Sequence, residues 1–138
     1  MTTLVLDPSA LVHRYIAGAQ RELINDAMES ASTWCATELA RTEVMLTLHQ
    51  LAGAPHLARE LWATARDDFD AMVLVPMDER CLARAIELGT EFGLRTVDAV
   101  HLAAIDRVPR PARFATLDRR QIPAALALGF DVVAPLVS

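Results

Sequence analysis

Five short runs dominated by apolar residues, separated by segments of helical length, constrain this chain more than anything else in it. They are Leu4 to Leu6, Thr33 to Ala36, Met72 to Val75, Phe114 to Leu117 and Phe130 to Val133. A run that is apolar on successive residues, rather than on alternate ones, reads as a strand buried on both faces. Such strands, alternating with helices, belong to a parallel sheet with a helical layer on either side. The fold class expected is therefore α/β. In sheets of this kind, ligands bind beyond the carboxyl ends of the strands.

The helices are placed by their start and stop residues. Asp7-Pro8-Ser9 turns the first run directly into a helix over about Ser9 to Ile16. A second helix covers Gln20 to Glu29, and Thr37 caps a long one that runs to about Leu51, where Gly53-Ala54-Pro55 breaks it. Another follows from Pro55 to about Phe69. Asp78 caps a helix to Phe92, stopped by Gly93, and Thr96 caps the next, which ends near Pro109. Asp118 opens the last, to Leu128. No repeat, low-complexity tract or linker interrupts this order, so residues 1–138 read as a single domain.

Four acids stand where that architecture would put a ligand site. Asp7 and Asp118 each close a strand and open a helix, and Asp98 lies in a first helical turn, where the helix dipole favours a carboxylate. Each of these three has an equally good explanation as a helix-start residue. Glu43 does not. On a helical wheel it falls between the arc of Ala40, Val44, Leu48 and Leu51 and that of Leu39 and Leu46, beside the apolar side of its helix. A carboxylate there needs a partner, either an arginine such as Arg41 or a metal ion. Carboxylates brought together repel and raise one another's pKa, and a hard cation such as Mg²⁺, which prefers oxygen ligands, relieves that repulsion.

Composition removes several rivals. The net charge of −5 argues against a broad non-specific nucleic-acid binder. All 13 basic residues other than histidine are arginine, so no mechanism can use a catalytic lysine. That weakens a receiver-type signalling domain or an aspartate-nucleophile phosphatase, and the latter would also want an Asp where Ser9 stands. There is no H-E-x-x-H, G-x-S-x-G or phosphate-binding loop motif. Cys35 and Cys81 belong to no C-x-x-C pair and read as buried thiols. His101, three residues after Asp98, shares a helix face with it. A His–Asp metal pair is conceivable there, but Leu102, Ala103 and Ala104 point to a core or boundary histidine. The first residues are apolar but lack a preceding basic segment, and Asp7 interrupts them, so a cytoplasmic chain is expected.

LVLDPSALV, ELARTEV, LRTVDAVHLAA and FATLD, in that order, resemble the successive motifs of PIN domains, and in particular those of the VapC toxins of bacterial and archaeal toxin–antitoxin pairs. The likeness extends to the closing GFDVVAPL segment. It implies a three-layer α/β/α sandwich with a mainly parallel five-stranded sheet, and endoribonuclease activity dependent on Mg²⁺ or Mn²⁺. It also implies homodimerisation and inhibition by a cognate antitoxin. The family's four acids fall on Asp7, Glu43, Asp98 and Asp118, and its small hydroxyl residues on Ser9 and Thr116. Arg41, Arg95 or Arg119 would hold flanking phosphates of an RNA substrate. The other reading is a PIN-fold interaction module with weak or no nuclease activity, whose signature would be a missing acid. An antitoxin's amphipathic segment would suit a groove in the helical stretch Gln20 to Phe69, which carries Ile24, Met28, Trp34, Leu57, Leu61 and Trp62.

Overall fold

In the computed structural model, which describes residues 2–135, the first strand sits at the centre of the sheet. That strand is β1 (Thr3–Leu6). It is flanked on one side by β2 (Thr33–Thr37) and then β3 (Val73–Val75), and on the other by β4 (Arg113–Ala115) and then β5 (Asp131–Val133). The sheet expected to be mainly parallel is parallel at every pairing among the described residues. Val5 pairs in register with Cys35 on one side and Phe114 on the other.

Strand periodicity then separates two cores. Leu4 and Leu6 point to the face covered by α1 (Pro8–Leu11), α2 (Arg21–Glu29), α3 (Glu38–Ala52) and α4 (Pro55–Asp70), where they meet Ile24, Met28, Val44, Leu48 and Phe69. Val5 and Phe114 point to the opposite face, where α5 (Glu79–Phe92), α6 (Thr96–Ile105) and α7 (Ile122–Ala127) supply Leu88, Leu102, Ile105 and Ala124. Each fully buried Leu or Phe contributes roughly 2 kcal/mol from removal of apolar surface from water. The result is the three-layer α/β/α arrangement. Because the chain winds outward from β1 to β3 and then restarts on the other side of β1, the crevice between the carboxyl ends of β1 and β4 is a topological switch point.

Several helix boundaries differ from the sequence expectation, each for a local reason. The first helix starts one residue early, at Pro8, because Asp7 caps it, and after Leu11 it tightens into a 3₁₀ turn over Val12–Arg14 instead of continuing to Ile16. Thr96 is the first helical residue of α6 and not its cap; the extended residue before it is Arg95. β4 ends at Ala115, two residues short, where the Thr116 hydroxyl accepts the Asp118 N–H and turns the chain. Asp118 opens a 3₁₀ turn, Arg119–Gln121, ahead of the short α7. Thr37 and Asp78 cap α3 and α5 as expected, with side chains accepting from Ala40 N and Cys81 N. Gly93 ends α5 at φ +65°, a left-handed conformation that favours glycine. Cys35 and Cys81 are buried and unpaired.

Candidate active site

The carboxyl ends of β1, β2 and β4 open into a cleft of about 830 Å³ whose lining includes Asp7, Ser9, Glu43, Asp98, Asp118, Arg95 and His101. Asp7 is its deepest acid, 4% exposed at the end of the central strand. Its Oδ2 accepts the backbone N–H of Ser9 at 3.2 Å and the Ser9 hydroxyl, the usual work of an N-cap. No cationic side chain pairs with Asp7 among the described residues. Burial raises its carboxyl above the ordinary range, while the Ser9 hydrogen bonds and the neighbouring His101 act in the opposite direction.

Ser9 and Thr116 knit the β1 and β4 ends together. Ser9 Oγ, having donated to Asp7, accepts from Leu117 N at 3.0 Å. Thr116 has one proton and three acceptors in reach. Gln121 Oε1 at 3.0 Å is nearer than Ser9 Oγ at 3.4 Å or Asp7 Oδ2 at 3.5 Å, so the proton goes to Gln121. Gln121, 1% exposed, uses its amide nitrogen to donate to Asp98 Oδ1 at 3.1 Å. The other oxygen of Asp98 accepts from Arg95 Nε at 3.4 Å, and the same guanidinium lies 3.9 Å from Asp118 Oδ2. Arg95 is 66% exposed at the rim. Asp118 Oδ1 accepts from the backbone and the side chain of Arg120.

Glu43 reaches the cleft from α3, half-buried, as its place beside the apolar side of that helix suggests. Its partner is neither Arg41 nor an adjacent acid: Oε1 lies 2.8 Å from His101 Nε2. The other ring nitrogen lies 2.8 Å from Thr37 Oγ1. The His101–Asp98 pair raised by their spacing is therefore replaced by a His101–Glu43 contact between α6 and α3. Arg41 does not line this cleft. It lies on the neighbouring groove of about 550 Å³ with Met45, Leu46, Trp62 and Arg66, and Arg119 lines a separate hollow beyond β4. Of the residues expected in a partner groove, Ile24 and Met28 are core, Trp34 and Leu61 pack against it, Leu57 is exposed, and Trp62 alone lines the groove beside α3.

The structure thus brings Asp7, Glu43, Asp98, Asp118 and Ser9 to one cleft, with Thr116 directly behind it. It does not draw the acids to a point. Among the described residues no three acidic, histidine or cysteine side chains stand close enough together to hold a metal ion as they are oriented. The donor set nonetheless suits a hard cation, since all four groups are carboxylates and the most buried has no cationic partner among the described residues.

Gln121 and His101 are the two positions whose part in the cleft the sequence did not disclose. Gln121 follows two arginines in a turn that looks solvent-exposed. A polar residue five after a strand-end threonine is too weak a signal to single out.

A family model for the PIN domain matches residues 4–124. The chain belongs to the PIN domain family. This PIN domain is 32% identical over 136 residues to "Ribonuclease VapC46" of Mycobacterium tuberculosis (strain ATCC 25618 / H37Rv), covering 98% of the chain and 99% of that protein. Its fold is similar to a toxin–antitoxin complex from Klebsiella pneumoniae, with a TM-score of 0.73 at 16% identity, covering 98% of this chain and 99% of that one. It is also similar to VapBC-5 from Mycobacterium tuberculosis, a member of the VapBC family of toxin–antitoxin systems. There the TM-score is 0.63 at 18% identity, over 98% and 100% of the two chains. At those identities the two structures speak to the fold alone.

Proposed function

We propose that this PIN domain is an endoribonuclease that hydrolyses RNA phosphodiester bonds with a divalent cation, Mg²⁺ or Mn²⁺, and acts as the toxin of a toxin–antitoxin pair. The observation that carries the reading is Asp7: a carboxylate buried at the end of the central strand, at the switch point, paired with no cationic side chain among the described residues and with three more acids lining the same cleft. Burying a lone carboxylate is costly, and a bound cation removes that cost. The toxin role is supported by likeness to a relative named as the ribonuclease VapC46.

Asp7, Glu43, Asp98 and Asp118 are the residues that would hold the cation. Bound there, it would lower the pKa of the attacking water and offset charge on the scissile phosphate. The chain's own residues do the rest. Ser9 and Thr116 fix the loop ends that aim Asp7, and Gln121 fixes Asp98. Arg95, spanning Asp98 and Asp118 at the rim, has guanidinium donors left to hold a flanking phosphate. Arg41 would contact RNA only where it leaves the cleft for the adjoining α3–α4 groove. The partners proposed are RNA, a cognate antitoxin and a second copy of the chain, and the site of action is the cytoplasm.

The test is cleavage of an RNA substrate with Mg²⁺ or Mn²⁺ and with chelator. The wild-type chain should cut only with metal, and Asp7→Asn and Asp98→Asn should retain the fold, judged by circular dichroism, and lose cleavage. Cleavage near the wild-type rate by Asp7→Asn overturns the assignment.

A further inference from the structure

Behind the cleft runs a hydrogen-bond chain that ends on Glu43. The Ala40 backbone N–H donates to Thr37 Oγ1 at 3.0 Å, and the same hydroxyl lies 2.8 Å from His101 Nδ1. The Glu43 carboxylate oxygen Oε1 can only accept, so Nε2 carries the proton that faces it and donates across 2.8 Å. His101 is 3% exposed, packed into the interior between α6 and α3. Glu43 Oε2 has no hydrogen-bond partner among the described residues.

The elements at the two ends of this chain matter as much as its distances. Thr37 is both the last residue of β2 and the cap of α3, and Glu43 lies further along α3. His101 is on α6, three residues from Asp98, so the two side chains leave that helix on one face. The imidazole is therefore the direct link between the helix that carries Glu43 and the helix that carries Asp98. These two acids approach the cleft from opposite layers of the sandwich. A long, flexible glutamate in a wide cleft has many rotamers, and holding one of its oxygens removes most of them.

We infer that His101, oriented by Thr37, is a positioning residue for the metal-holding function of Glu43: its Nε2–H holds one carboxylate oxygen and leaves the other to face a cation. The inference rests on the divalent-metal reading of the cleft. A hydrogen-bond donor behind a metal-holding carboxylate fixes its direction, and loss of such a partner typically lowers metal affinity about 10- to 100-fold. A histidine that only packed in the core would leave Mn²⁺ affinity unchanged when replaced by a side chain that fills its space in a folded variant.

The experiment measures Mn²⁺ affinity by calorimetric titration, without RNA, for the wild type, His101→Leu, His101→Gln and His101→Asn. Asp7→Asn serves as the control for loss of the site, and circular dichroism checks the fold of every variant. Leucine fills the space without a donor and should weaken Mn²⁺ binding by about 10-fold or more, whereas glutamine places an amide nitrogen near the Nε2 position and should restore it to within about threefold. Asparagine, whose amide stops short of Glu43, should behave like leucine. RNA cleavage should follow the same order through kcat, with KM for RNA unchanged.

Wild-type affinity in a folded His101→Leu, or equal affinity in folded His101→Gln and His101→Asn, overturns the inference. The glutamine–asparagine pair decides the matter if leucine prevents folding. A wild-type chain that takes up no Mn²⁺ overturns the metal reading itself and this inference with it. Mn²⁺ binding lost in Asp7→Asn but kept in His101→Leu overturns the inference alone.

Discussion

Replacing Asp7 by asparagine should make the protein more stable and inactive at once. Asparagine has the same shape and caps a helix as well as aspartate, so the bond from Ser9 N and the space at the end of β1 are both retained. What disappears is a charge that is 4% exposed and has no cationic partner among the described residues. Relief of that desolvation is worth roughly 1 to 3 kcal/mol, which in a domain of this length raises Tm by about 3 to 10 °C. The wild-type chain should more than recover the deficit when metal binds, by about 4.1 kcal/mol at a cation concentration about 1,000 times Kd. Melting curves followed across an Mg²⁺ or Mn²⁺ titration should therefore cross, the variant melting higher in chelator and lower in saturating metal.

The pH dependence of the same comparison has a definite sign. Burial raises Asp7 in the folded state, so the wild-type chain is at its best, relative to the variant, when that carboxyl is protonated. In chelator the two proteins should melt together in acid. The variant's advantage should open as pH rises from the unfolded value of 3.8 through the higher folded one. A variant that melts below wild type in chelator at neutral pH, or gains as much from metal as wild type does, refutes the account of Asp7 as an uncompensated, metal-seeking charge.

Gln121→Met keeps the volume but strips Asp98 of a donor and Thr116 of its acceptor, so it should cost roughly 1 to 3 kcal/mol in urea unfolding and lower cleavage about 10-fold or more. Undiminished cleavage would show that Asp98 needs no such support. Tyr15→Phe removes the 2.7 Å bond from the phenol to Asp68, whose contact with Arg14 persists, and should cost about 1 kcal/mol without affecting cleavage. Asp78 caps α5 and is gripped by the Arg107 guanidinium, whose hydrogen bonds hold its carboxyl down to about 2. Asp78→Asn keeps the cap, so the wild-type margin over it should be constant well above 3.8 and vanish as pH falls from there to about 2.

How much of this was legible in the sequence follows from where each signal resides. The five strands were readable because a strand buried on both faces is apolar on successive residues, and Leu4–Leu6 of β1, all buried, show this most clearly. The caps Asp7, Thr37 and Asp78 were readable because capping is a contact within three residues of the chain. The placement of Asp7, Glu43, Asp98 and Asp118 in one cleft follows from strand ends and helix faces, together with the order of the motifs. His101 was less readable. α6 is apolar nearly all round, buried at every residue from Asp98 through Ile105 except Val100, so helical periodicity gives no face on which to place an imidazole. Its partners, Thr37 and Glu43, come from the opposite layer of the sandwich. Arg41 lies over a different groove from Glu43 because two residues along a helix is about 200° round its axis.

The central position of β1 has a further consequence, for the order of events in folding. β1 precedes both of its partners along the chain, and Asp7 meets Thr116 across 109 residues. Pairings between such distant residues are slow to form, because a long loop must close before any contact rewards it. Ser9 cannot meet Leu117, nor Gln121 meet Asp98, until β4 has docked beside β1. A chain stalled or cut before that point would carry Asp7, Glu43 and Asp98 and still have no cleft. The cleft therefore comes with the second half of the sheet, and protein synthesis itself sets the earliest moment at which it can form.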